Sequence, residues 1–169
     1  MRGIAIVIFF LACISTQAQQ DIHTIRGQFH KASSERLLKD FIQQVSSQPG
    51  VLANAYHGIA LAKSALYSNN PVDQYNLYKS GKERIDHSLQ QNDCFDTRYA
   101  RLLLELNVPS FLQNTDHITE DLAALNEYLY KPSITSEEYS HVLITLDSMR
   151  QNSHALDQWL TSHRQLSKL

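Results

Sequence analysis

Two cysteines, four prolines and five glycines are few for a chain of 169 residues. One of those cysteines, Cys13, stands inside an apolar N-terminal run, which leaves Cys94 alone in the remainder. A single thiol closes no internal disulfide, so the fold is expected to hold without one. So little glycine and proline also leaves too few turn residues for a β-rich protein, and no segment alternates polar and apolar side chains over a strand length. Basic runs are missing too. The densest group, Lys79, Lys82 and Arg84, is interleaved with Glu83 and Asp86. That pattern is a solvated helix face and excludes nucleic acid and anionic membrane as expected partners. No Gly-x-Ser-x-Gly elbow, P-loop, dinucleotide glycine motif, His-Glu-x-x-His or Cys/His zinc spacing occurs, so no cofactor is expected.

The N-terminus carries the strongest signal that is present. Arg2 precedes an almost wholly apolar stretch from Gly3 to Ile14, and Ser15, Thr16, Gln17 and Ala18 close it with small and polar residues. Charge, apolar core and a small-x-small end make a secretory signal peptide, with cleavage expected after Ala18. The run is about half of the ~20 residues that a membrane span needs. An exported protein, periplasmic or extracellular, follows as the expectation. The alternative is a lipoprotein anchored at Cys13. Arg2 is the only charge in the leader, so residues 19–169 carry one basic residue fewer than the whole chain's 15, against 17 acidic. Their length suits a single domain with a real core.

Helical spacing of apolar residues runs through that domain. Ile22, Ile25, Phe29 and Ala32 mark a first helix, and Leu37, Leu38, Phe41, Ile42 and Val45 a second. A third covers Val51 to Tyr67. Asn69-Asn70-Pro71 opens a fourth, with Tyr75, Tyr78, Ile85 and Leu89 on one stripe. Phe95 to Leu106 is a short and very apolar fifth. Ile118, Leu122, Leu125 and Leu129 give a sixth. Thr135 and Glu138 have the spacing of a capping box at the start of a seventh, with Ile134 and Tyr139 placed for a hydrophobic staple. Leu156, Trp159, Leu160 and Leu166 form an eighth. The fold class expected is all-α, with short connections and antiparallel neighbours.

Gly58 and Gly81 fall inside helices, where each costs ~1 kcal/mol relative to alanine. Gly58 lies on a stripe of small residues with Val51, Ala55, Ala62 and Ala65. Close packing of the third helix on the fourth is the expected reason for both glycines. An alanine in either place is expected to stabilise if space allows. The segment from Tyr56 to Leu106 resembles a divergent tetratricopeptide (TPR) unit, centred on about 51–106. Gly58 takes the place of the small residue of its first helix. Gly81, Ile85 and Ser88 take the small-large-small positions of its second, Asn92-Asp93-Cys94 the turn, and Tyr99 with Leu102 and Leu103 the start of the next repeat. The stretch from Gly81 through Arg101, Asn107-Val108-Pro109 and Phe111-Leu112 to Asp121 is also similar to small uncharacterised exported helical proteins of Gram-negative bacteria. The resemblance implies an antiparallel α-α hairpin array, a TPR-like solenoid. A closed helical bundle is the alternative.

Two constellations have the residue types for metal chemistry. His117, Glu120 and Asp121 share a helix face at i, i+3 and i+4, the geometry of half a metal site. Glu138 and His141 make a Glu-x-x-His, but a di-iron bundle needs a second copy and two further glutamates, which the chain lacks. Acidic residues at a helix start also suit the helix dipole, and that reading leaves no metal at His117, Glu120 and Asp121. Cys94 is expected to be a buried small hydrophobe. Tyr56, Tyr67, Tyr75, Tyr78 and Tyr99 concentrate in the middle third, where they suit a core or a protein-binding groove. The function expected is a non-enzymatic scaffold that binds another protein through a helical-hairpin surface. The alternative is a metal-binding bundle or enzyme using His117, Glu120 and Asp121. A concave tyrosine-lined groove without clustered acids distinguishes the first, convergent His and carboxylate side chains the second.

Overall fold

The computed structural model describes residues 22–108, 115–129 and 135–166. The leader of residues 1–18, with Cys13, lies outside them, as does Ile134 of the expected staple. The described residues are helical and hold no strand, and none of their helices is long and apolar enough to cross a membrane.

Among the described residues eight α-helices follow one another: α1 over residues 22–31, α2 Glu35–Ser46, α3 Val51–Ser64, α4 Pro71–Gln91, α5 Phe95–Asn107, α6 Thr115–Leu129, α7 Ser136–Ser148 and α8 His154–Leu166. Their starts have local causes. The Ser34 side chain accepts from the Leu37 amide before α2. Asn70 accepts from the Val72 amide, and Pro71 occupies the first turn of α4, where its missing N–H leaves no donor unpaired. Cys94 is the N-cap of α5 and half-buried, not the core residue expected, because the chain is extended there to enter the helix. Its amide donates to Thr97 Oγ1 at 3.1 Å, and that buried hydroxyl in turn donates to the Asn92 carbonyl at 2.8 Å.

Helix α5 is the centre of the molecule. Every side chain from Phe95 to Leu106 except Arg98 is buried. The helix is covered on nearly all sides, its buried Asp96, Thr97, Arg101 and Glu105 included, because α3, α4 and α6 pack on it. Tyr56 of α3 and Tyr99 of α5 are wholly buried, whereas Tyr75 is exposed and Tyr78 half-buried. The expected stripe of Tyr75, Tyr78, Ile85 and Leu89 therefore divides, with Ile85 buried, Tyr78 and Leu89 half-buried and Tyr75 in water. Helix α4 is 21 residues long and α3 only 14, so the first turns of α4 run past the end of their partner. Leu37 is likewise exposed, while Leu38, Phe41 and Val45 hold the buried face of α2.

The α3–α4 crossing is antiparallel. Asn54 donates to the Arg84 carbonyl at 3.2 Å and to Ser88 Oγ at 2.9 Å, and Gly58 meets Gly81 further along. A Cβ at Gly58 would stand 2.7 Å from the Gly81 carbonyl oxygen, and one at Gly81 would stand 2.5 Å from that of Gly58. Backbone faces backbone here, so the space that an alanine needs is absent. That corrects the expectation that alanine stabilises either position.

Helix α1 closes the arrangement. Its side chains meet α3 through Phe29 and Tyr56, α5 through Arg26 and Asp96, and α7 through Arg26 and Glu138. The last pair is 112 residues apart in sequence. Repeats of an open array touch only their neighbours, so these contacts belong to a chain whose first helix folds back on its later ones.

Candidate functional site

Arg26 is the clasp of that closure. Its Nε and Nη2 donate to Asp96 Oδ1 and Oδ2 at 2.6 and 2.7 Å, a two-bond fork, and its Nη1 donates to Glu138 Oε1 at 2.8 Å. Tyr56 Oη donates to Asp96 Oδ1 at 2.8 Å, and the guanidinium also lies over the Phe95 ring at 5.3 Å. Arg26 and Asp96 are both buried. Burial alone would raise the Glu138 carboxyl, but bonds from Arg26, the Thr135 amide and His23 outweigh it and hold the group at about 2. Neither Arg26 nor Asp96 was singled out in the sequence. Arg26 stands four residues after Ile22 and three before Phe29, and Asp96 three and four before Tyr99 and Ala100, so each is a charge on an apolar helix face, which is the signal the sequence offers.

Thr135 and Glu138 form the reciprocal cap of α7. The Glu138 amide donates to Thr135 Oγ1 at 3.2 Å, and the Thr135 amide donates to Glu138 Oε2 at 3.0 Å. Thr135→Ala is expected to destabilise by about 1 kcal/mol. Glu138→Ala is expected to cost more, since it also removes a partner of Arg26. Chemical denaturation of the two single variants and the double variant checks both statements, and non-additivity in that cycle is the signature of the shared cap.

His117, Glu120 and Asp121 turn toward α5. Asp121 is 0% exposed and takes two bonds from Arg101, at 2.8 and 2.6 Å, and one from Arg98 at 3.2 Å. Glu120 accepts from Arg98 and from Arg101. His117 Nδ1 lies 3.4 Å from Glu105 Oε1. Burial raises the Asp121 carboxyl even against the pull of the two arginines. Asp121 therefore ties α6 to α5, and a site read as a helix start with acidic residues is an ion-pair seam. His141 faces another way, toward α1, with its ring 5.4 Å from that of His30. Among the described residues no group of three or more His, Cys, Asp and Glu side chains is placed to hold a metal ion.

A groove of about 440 Å³ runs between the end of α3, the start of α4 and the end of α5. Ile59, Leu66, Tyr75, Tyr78, Leu104 and Val108 supply its apolar and aromatic surface, with Gln74 and Asn107 as polar points. Among the described residues no carboxylate lines it, and Lys63 is the one charged lining residue. The Lys63 ammonium donates to the Ala32 carbonyl at 3.0 Å, capping the end of α1, and lies 5.5 Å from the Phe29 ring centre. Leu66 is 65% and Tyr75 63% exposed, and Tyr67 and Val72 beside them are exposed too. Behind Lys63 lies a smaller cavity of about 100 Å³, bounded also by His30, Leu66, Thr145 and Asn107. On its far side His30 lines a cleft of about 550 Å³ between α1 and α7, together with His23, Gly27, His141, Glu137 and Glu138.

No protein-family model, curated protein or solved structure matches the chain, so the reading of these surfaces rests on their own chemistry.

Proposed function

We propose that this chain is an exported, non-enzymatic binding domain that takes a segment of another protein into the groove between α3, α4 and α5. The export part rests on the leader of residues 1–18. In this reading α3, α4 and the start of α5 form a TPR-like hairpin unit, and α1 folds back to brace it. The observation that carries the proposal is the groove's composition: exposed Leu66 and Tyr75, half-buried Tyr78, and no lining acid among the described residues. Large apolar side chains left in water beside a concavity mark interaction sites. Tyrosine and leucine there provide area to bury with few rotamers to freeze. Lys63 sets the polarity of the occupant, which is an apolar or aromatic segment with a carboxylate beside it. The alternative metal centre has less support, since the carboxylates of Glu120 and Asp121 are engaged by two arginines.

The paired variant Leu66→Lys with Tyr75→Lys tests this. Both side chains are exposed, so the fold is expected to survive, as circular dichroism will show. Affinity for the partner captured by the wild-type chain is expected to fall by on the order of 2 kcal/mol per anchor. Capture of the same proteins with equal affinity by both forms would overturn the proposal.

A further inference from the structure

We propose that the cleft between α1 and α7 is an acid-operated latch, in which protonation of His30 releases the C-terminal end of α1 and, with it, the hold of Ala32 on Lys63. The effect on the groove rests on the reading of that groove as the binding face. The release itself does not.

The geometry is a run of imidazoles along one seam. His23 and His30 come from α1, and His141 comes from α7. His30 packs edge-on against Phe29 with centres 5.7 Å apart, lies 5.9 Å from the Tyr99 ring, and sets Nδ1 3.3 Å from Thr145 Oγ1. The charged and titratable groups around it are Arg26 and Lys31 on α1, Lys63 on α3, Tyr99 on α5, and Glu137, Glu138 and His141 on α7. Cations dominate near the half-buried ring. Glu138 is the carboxylate close enough to help, but its oxygens already take bonds from His23, Arg26 and Thr135. A proton on His30 therefore enters a partly desolvated, cation-rich place in the closed form and an ordinary one when α1 swings out.

Burial first, then His141 and Lys63, hold the His30 imidazolium down to about 4 from an ordinary 6.5. A group depressed in the folded state stabilises it fully above its ordinary value. That stabilisation fades as pH falls from 6.5 through about 4. Glu138 stays ionised across this window, since its carboxyl titrates at about 2. Arg26 thus keeps its bonds to Asp96 and Glu138, the N-terminal half of α1 stays clasped, and the strain falls on the end that carries His30 and Ala32. His30 borders the small cavity whose opposite wall is Lys63 and Leu66, so the movement reaches the groove directly. Gly27, which lines the cleft, has nothing within 4 Å of the position a Cβ would take. Packing does not require a glycine there, and its presence makes the middle of α1 the compliant point.

Hydrogen exchange on the full chain tests the latch, with labelling times scaled for intrinsic rates. Between about pH 7 and about pH 5, protection of the amides at 28–34 is expected to fall roughly tenfold, and that of 59–66 with it. His30→Gln, neutral at both values, is expected to lose the response. His141→Gln is expected to reduce it, and His23→Gln to retain it. Melting at neutral pH confirms that each variant folds. An equal fall in His30→Gln, no fall in the wild type, or a fall at 28–34 that spares 59–66 would overturn the proposal. Tyr75→Lys, which lies in the groove but not in the small cavity beside His30, is expected to keep the acid response, so failure of the groove reading and failure of the latch are observed separately.

Discussion

Asp96→Ala is expected to destabilise the chain by about 3–5 kcal/mol, the usual consequence of leaving one member of a buried ion pair behind. Arg26 would keep its charge at a site where its side chain is 10% exposed, with two of its three anchoring bonds gone. The Tyr56 hydroxyl, wholly buried, would lose its acceptor at the same time. Arg26→Met combined with Asp96→Leu is expected to recover a large part of the loss, because a buried pair replaced by apolar side chains of similar size is often close to neutral. Urea denaturation of the three forms decides this. A loss for Asp96→Ala no larger than that of an exposed surface pair, within about 1 kcal/mol, would mean that α1 is not clasped as described.

Gly81→Leu is expected to have the second large effect, at or above the upper end of the roughly 1–3 kcal/mol typical of overpacking. The first added atom already stands 2.5 Å from the Gly58 carbonyl oxygen and 3.0 Å from the Ala62 amide nitrogen. Both are backbone atoms, so relief requires α3 and α4 to separate along their whole crossing. Gly81→Ala is expected to destabilise as well, despite the ~1 kcal/mol that alanine gains in helix propensity. Thermal or chemical denaturation of the two variants reads this directly. Unchanged stability in Gly81→Ala would show that the helices sit further apart than their backbone contact indicates.

The helices were legible in the sequence because an amphipathic segment announces itself at a spacing of three and four residues, and this chain has little else. Asn70-Pro71 and Thr135-x-x-Glu138 marked starts that the local backbone alone determines. Gly58 and Gly81 were legible for the same reason, since a helix does not carry glycine without cause. The clasp was not. Arg26 and Asp96 are 70 residues apart, and a single pair of opposite charges has no spacing to detect. Asp121 misled because its sequence neighbours, His117 and Glu120, suggested one helix face, whereas its partner Arg101 comes from the preceding helix. The groove was legible only in part. The tyrosines of the middle third were visible as a group, but which of them are buried depends on where α3 ends against a longer α4. That exposes Tyr75, whereas Tyr99, on the central α5, stays in the core.

The exposed tyrosine is also where the functional reading is most directly tested. A photo-activatable cross-linker at position 75 of the full-length protein, expressed in its native host, samples whatever occupies the groove. The same probe at Leu37, exposed on α2 away from the groove, serves as the control. The proposed function gives one discrete adduct from position 75, absent from position 37 and abolished by Leu66→Lys. The same adducts from both positions, or an adduct at 75 that survives Leu66→Lys, would contradict it.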